Sequence, residues 1–331
     1  MKISARTSLV AGLMWLTAVP FAARAQPDSS SSALYPNKPV RMLVGFTPGS
    51  ATDITARIFA QKFSEAWAVP VTVENIPGAG GSVGVARVAK APADGYTLAY
   101  AANGAMTIAP SLQASLPYDP TRDLSPISLV LMMPSILAVN NDVPAKNLQE
   151  LIALAKAQPG KLSYASPGNG TPQHVGGELL KSLAGVDIVH VPYRGAQFTD
   201  VISGRVTIAL QNTAALLPSV RDGRLRALAV TSLQRSPNMP ELPTIAESGF
   251  PGFEATSWFA LLAPAATPAP IINKVHQESV KALAQPALQA RFAQLGLDTV
   301  GSSPAELAAI IKADIGKWAR VIKEAGITAS E

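Results

Sequence analysis

Short β-branched or apolar runs alternate with segments of helical periodicity along almost the whole chain. Residues 40–46 predict a strand, followed by a helix from about Asp53 to Trp67. In that helix Ile54, Ile58 and Phe63 share a face, while Arg57, Lys62 and Glu65 fall elsewhere. Residues 71–74 then precede a helix over 82–90, and 96–101 precede a short helix running toward Leu112. Parallel neighbours need a crossover, which a helix supplies. The rhythm therefore predicts an α/β fold of mostly parallel sheets covered on both faces.

The rhythm breaks at 127–139, an apolar stretch containing Pro134. Proline cannot donate a ladder hydrogen bond, so a bend or strand edge is expected there. The stretch reads as a connection into a second lobe. That lobe is expected to hold helices near 148–157, 172–183, 198–203 and 214–222, with strands at 162–165, 188–191 and 206–210. Residues 225–231 read as a second apolar crossing back to the first lobe, completed by a strand at 258–262 and helices near 271–284 and 304–325. The expected division is 35–126 plus 232–331 for lobe 1 and 127–231, hinge crossings included, for lobe 2. Ligands of open α/β sheets bind beyond the carboxyl ends of the strands, and two lobes on two connections can close as a hinge.

The first 25 residues stand outside this pattern. Lys2 and Arg6, an apolar run over 9–19 and Ala23-Arg24-Ala25 match a cleavable signal peptide. The run is too short for the roughly 20 residues of a membrane span, although a retained anchor is the alternative. Mature protein is expected to begin near Gln26, with 26–34 as a flexible, serine-rich leader. Cleavage also removes three cations, so the 27 Lys+Arg against 22 Asp+Glu become 24 against 22. With no basic run and few aromatics, no nucleic-acid partner is expected. Cysteine is absent, which excludes disulfides, thiolate metal sites and cysteine nucleophiles. The mature length can bury a core without such staples.

Five strand-ending loops carry the candidate chemistry. They are 47–53, 77–81, 103–105, 166–172 and 211–213, and most lead into a helix. A helix start leaves backbone N–H groups unpaired and carries about half a positive charge. Several starts facing one cleft would bind a small anion without lysine or arginine. Ser50 is either a helix cap only, with Asp53 as the capping acid, or a ligand contact as well. Gly78, Gly80 and Gly84 resemble a dinucleotide fingerprint, but the acid that a Rossmann site places at the end of the next strand is replaced by Ala101-Ala102-Asn103. Thr171-Pro172 is a strong helix start. His174 and Glu178 lie one turn apart, but two ligands are too few for a metal site; His174 is expected to bond to the cleft or to its own loop. Arg194 reads either as a surface residue or as a carboxylate partner. No nucleophile elbow, Ser-x-x-Lys, His-Glu-x-x-His or Walker motif is present.

Several motifs in fixed order give a family resemblance across nearly all of the mature chain. They include Tyr35-Pro36, Pro48-Gly49-x-x-Thr52-Asp53, Glu74-Asn75-x-Pro77-Gly78-Ala79-Gly80-Gly81 and Asp94-Gly95-Tyr96-Thr97-Leu98. Further on come Gly168-Asn169-Gly170-Thr171-Pro172-Gln173-His174, His190-Val191-Pro192-Tyr193-Arg194-Gly195 and Pro243-Thr244-Ile245-Ala246-Glu247-Ser248-Gly249. The chain resembles the extracytoplasmic receptors of tripartite tricarboxylate transporters, the Bug receptor family. The resemblance implies a two-lobed type II periplasmic-binding fold that closes on a carboxylate and delivers it to membrane components of the transporter. Gly45 stands where proline is common in the family, Ser50 where glycine is, and Gln211 where aspartate is.

The expected ligand-binding set is Thr47, Gly49, Ser50, Asp53, Ala79, Gly80 and Asn103 from lobe 1. Lobe 2 adds Ser166, Gly170, Thr171, His174, Arg194, Gly195, Gln211 and Asn212. The expected protein is a periplasmic, monomeric binding protein for a di- or aromatic carboxylate, without cofactor or metal. A sensor component and a secreted enzyme on the same scaffold are the alternatives.

Overall fold

The computed structural model describes residues 35–113, 115–193 and 199–328. The expected signal peptide and leader, and also Arg194 and Gly195, lie outside the described residues. Two sheets form. The first takes β1 (Val40–Val44), β2 (Val71–Asn75), β3 (Thr97–Ala102), β4 (Leu124–Met133), β10 (Ser257–Pro264) and β11 (Asp298–Thr299), in the order β11-β4-β10-β3-β1-β2. The second takes β5 (Ser135–Asn140), β6 (Ser163–Ser166), β7 (Val189–Pro192), β8 (Ile208–Asn212) and β9 (Leu225–Val230), in the order β7-β6-β8-β5-β9. Four of the six strands of the first sheet run one way, as do four of the five in the second.

Two of the three exceptions, β5 and β10, have a common cause; the third is the two-residue edge strand β11. Strand β4 ends at the cleft, and after Pro134 the chain enters the second sheet from its cleft side as β5. It must therefore run against β8 and β9, whose pairing with β5 is antiparallel. Strand β10 enters the first sheet from the cleft in the same manner and runs against β3 and β4. The bend expected at Pro134 is thus the point where one apolar stretch divides between two sheets.

The other expected crossing is corrected. Residues 225–230 form β9, an edge strand of the second sheet, and the return to the first sheet runs through 231–256. A short apolar run looks alike whether it is a strand or a connection. At the hinge Ser135 N donates to Thr231 Oγ1 (2.9 Å), and Thr231 N donates to Ser135 O (3.0 Å), which fastens the two passages side by side.

Helices α1 (Ala51–Trp67), α2 (Ser82–Ala89), α3 (Ala109–Leu112), α4 (Leu148–Ala157), α5 (Pro172–Ala184), α6 (Thr199–Ile202), α7 (Thr213–Arg221), α8 (Ala269–Leu283), α9 (Pro286–Gln294) and α10 (Pro304–Glu324) cover the sheets. A 3₁₀ turn at Ala79–Gly81 precedes α2, and a π-turn at Gly104–Ile108 precedes α3. Neither α9 nor β11 is apparent from the sequence pattern. Phe59 of α1 stacks on Phe292 of α9 (5.7 Å) within the first sheet's core. Helix α10 begins with a capping box between Ser303 and Glu306. Its Leu307 and Ile311 pack with Trp258 beside the first sheet, while Trp318, Val321 and Ile322 pack with the second sheet's core. One amphipathic helix therefore bridges both cores.

Candidate functional site

A cavity of about 570 Å³ opens between the strand ends of the two sheets. Its apolar wall includes Phe46, Ile108, Leu112, Met133 and Phe259. Polar groups come from Ser50, Asn103, Gln113, Gln173, Asn212 and Ser257. None of the described residues lining it is ionisable. The starts of α1, α5 and α7 reach the wall, together with the 79–81 turn that leads into α2 and the Asn103-Gly104 start of the π-turn. Among the described residues, an anion here meets helix ends, carboxamides and hydroxyls.

The first loop divides the expected residues. Ser50 lines the cavity and also caps α1, its Oγ accepting from Asp53 N (3.2 Å). Thr47 and Gly49 are exposed and lie off the wall. Asp53 is turned away from the cavity and holds the loop from beneath. Its carboxylate accepts from Gly49 N (2.9 Å), Asn75 Nδ2 (2.9 Å) and Arg57 Nη2 (2.9 Å). Burial acts to raise the Asp53 carboxyl, but the bonds from Arg57, Gly49 and Asn75 outweigh it and hold the group below its usual range. An acid placed to cap a helix looks in sequence like an acid placed to meet a ligand.

Ala79 and Gly80 line the cavity from a turn with positive φ at Ala79 (46°), Gly80 (64°) and Gly81 (99°). Left-handed backbone is costly for alanine, and here it is tethered: Gln113 Nε2 donates to Ala79 O (3.2 Å) and Ser82 Oγ (3.1 Å). Gly45 explains how the turn comes so close to β1. A Cβ on Gly45 would lie 2.4 Å from Gly81 O, and one on Gly84 would lie 2.8 Å from Gly45 Cα. The glycine that departs from the family's proline is therefore a packing residue beneath the cavity wall. Asn103, 1% exposed, donates from Nδ2 to Thr256 O (3.0 Å) across to the return passage; its Oδ1 has no partner among the described residues.

On the second sheet's side, Gly170, Thr171 and Asn212 reach the wall, whereas Ser166, His174 and Gln211 do not. Gln211 Oε1 accepts from Asn212 N (2.8 Å) and braces the start of α7. His174 is turned onto its own loop, its Nδ1 accepting from Gly170 N (3.1 Å). Ser166 Oγ lies 2.6 Å from His190 Nε2. Gln173 was not anticipated. From the second position of α5 its Nε2 donates to Ser135 Oγ (2.9 Å), Asn212 Oδ1 (2.5 Å) and Ser257 Oγ (3.3 Å), joining the first residues of β5 and β10 on the cavity floor. Its place in the first turn of a Thr-Pro helix start is the only sequence signal for it. Phe46, Leu112, Met133 and Phe259 carried none, because an apolar residue facing a cavity reads as core.

The family described as the tripartite tricarboxylate transporter family receptor matches residues 55–327. The protein BugT of Bordetella pertussis is 37% identical over 299 residues, covering 89% of this chain and 92% of the relative. Among solved structures, an R. palustris protein with adipate is 33% identical with a TM-score of 0.76, covering 89% of this chain and 99% of that one. MatC from Rhodopseudomonas palustris with bound malate is 30% identical with a TM-score of 0.72, covering 87% and 100%.

Proposed function

The chain belongs to the tripartite tricarboxylate transporter receptor family, and from that premise we propose that it captures a small carboxylate with an apolar body for a membrane transporter. An aliphatic dicarboxylate or an aromatic acid fits best. The observation that carries this reading is a cavity with helix starts and, among the described residues, no ionisable lining residue, walled by Phe46, Ile108, Leu112, Met133 and Phe259. Helix starts suit carboxylates, and the apolar wall suits the carbon skeleton between or beyond them. The adipate and malate bound by the two related proteins support the ligand class.

The protein acts in the periplasm after cleavage near Ala25, and the two lobes, one built on each sheet with β4 up to Met133 belonging to the first rather than to the expected 127–231, close on the ligand about the passages at Pro134 and 231–256. The test is calorimetry of the mature chain with adipate, malate, benzoate and citrate, with small-angle scattering at saturation. Micromolar or tighter binding of adipate or benzoate with a smaller radius of gyration is expected. Binding of none of the four, or preference for an uncharged solute, overturns the reading.

A further inference from the structure

Two histidines behind the second sheet's binding loop are packed in a way that helix capping alone does not require. His174, in the first turn of α5, and His190, in β7, stack with ring centroids 4.0 Å apart and planes 10° from parallel. Each ring holds one end of the 166–171 loop. His190 Nε2 lies 2.6 Å from Ser166 Oγ, and His174 Nδ1 accepts from Gly170 N at 3.1 Å. Between these anchors lie Pro167 and Asn169, which line the cavity, as do Gly170 and Thr171. Ser166 Oγ also accepts from Gly168 N (3.2 Å). The pair thus carries the loop's shape from the sheet to the cavity wall.

The protonation state follows from the geometry. An imidazole nitrogen that accepts from a backbone N–H cannot carry a proton, so His174 is neutral with its hydrogen on Nε2. Two imidazolium rings stacked at this distance would repel each other. The surroundings act in the same direction. Burial, together with the charge His174 would carry if protonated and that of Lys181, pushes His190 down to about 3. Burial lowers His174 as well, with Glu178 opposing and Lys181 assisting. Among the described residues, the other ionisable groups near the pair are Tyr164 of β6 and Glu178 and Lys181 of α5, with Glu324 of α10 beside the last two. Tyr164 OH donates to Glu178 Oε1 (2.8 Å), Glu178 pairs with Lys181 (2.8 Å), and Glu324 lines a groove beside both. Glu178 is thereby engaged by two partners.

We propose that His174 and His190 are the positioning pair of the binding loop, holding residues 166–171 in their ligand-competent shape only while both rings are neutral. Acidification then weakens ligand capture by freeing Gly170 and Ser166 from the stack. The proposal rests on the cavity being the binding site, and one arm of its test needs no ligand.

In that arm, ring-nitrogen and amide NMR of the wild-type protein follows His174, His190 and the Gly170 amide from pH 8 to pH 4. Both rings should be neutral at pH 7, with His174 protonated on Nε2, and the Gly170 amide should lose exchange protection as His174 gains its proton. A charged ring at pH 7, or an unprotected Gly170 amide there, overturns the pair whether or not a carboxylate binds. In the other arm adipate is titrated into wild type, His174→Phe and His174→Asn. Phenylalanine keeps a flat ring and removes the acceptor, so binding should weaken about tenfold or more at pH 7.5. Asparagine restores an acceptor that cannot become charged, so it should recover most of that loss. Adipate titrates in the acid range too, so the readout is a difference between proteins: from pH 7.5 to 4.5 wild type should lose about tenfold more affinity than His174→Asn. Full affinity in folded His174→Phe, or parallel pH profiles, overturns the proposal. Failure of adipate and every other carboxylate to bind wild type, with the NMR as expected, leaves the stack as described and overturns its role in capture together with the function proposed above.

Discussion

Replacing Gly45 with alanine tests whether the cavity wall is set by backbone packing beneath it. The new Cβ would lie 2.4 Å from Gly81 O, 2.5 Å from Gly81 Cα and 2.8 Å from Gly81 C. Carbon contacts settle near 3.5–4 Å, so the 79–81 turn has to retreat by about 1 Å. Every atom struck belongs to backbone, and none can swing away as the end of a side chain could. Overpacking of this kind costs ~1–3 kcal/mol. Gly45 lies outside the left-handed region, so no backbone strain adds to this. Alanine also narrows the unfolded ensemble, which offsets ~0.4–1 kcal/mol.

A net loss of about 1–2 kcal/mol is expected, a fall of roughly 2–3 °C in Tm for a protein of this size. The displaced turn carries Ala79 and Gly80, so carboxylate affinity should fall about tenfold, equivalent to ~1.4 kcal/mol. Urea unfolding and calorimetry measure the two effects. Gly80→Ala is the comparison: nothing lies within 4 Å of its Cβ, so its stability cost is limited to the ~1 kcal/mol scale of a positive φ. If Gly45→Ala matches wild type in both stability and affinity, the close approach of β1 to this turn does not shape the site.

Three further outcomes are expected. Asp53→Asn should lower stability by ~1–3 kcal/mol at pH 7, the scale of hydrogen bonds to a charged group. Because the Asp53 pKa is depressed by folding, that stability is present above the unfolded value near 3.9 and is lost as pH falls through the folded value. Urea midpoints of wild type and variant should therefore converge between about pH 5 and pH 2, and a constant gap would refute the assignment. Gly170→Ala places a Cβ at φ +72° and 2.8 Å from Leu112 Cδ1 across the cleft. It should weaken ligand binding more than it lowers Tm, and a variant that closes normally by small-angle scattering would contradict this. Arg194→Ala should cost about 1–2 kcal/mol of binding if helix starts carry most of the charge; complete loss of carboxylate binding by calorimetry would replace that account with a salt bridge.

What the sequence determined by itself is local. Alternation of apolar runs with helical periods defined an α/β chain because periods of 2 and 3.6 depend only on neighbours within a turn or two. Pro134 marked the division between sheets because a missing N–H acts where it stands. Ser50 and Thr171-Pro172 announced helix starts for the same reason, and motifs in fixed order identified the family. Tertiary structure decided what faces the cavity. Asp53 turns beneath its loop because Asn75 and Arg57 meet it there. His174 faces its own loop, with His190, sixteen residues away in sequence, stacked against it. Gln173 reaches Ser257, and Gly45 makes room for Gly81, through strand order and the packing of turns. The run 225–230 became an edge strand because β5 offered it a free side. Each of these depends on which distant segments the sheets bring together, and hydrophobic period along the chain carries no information about that order.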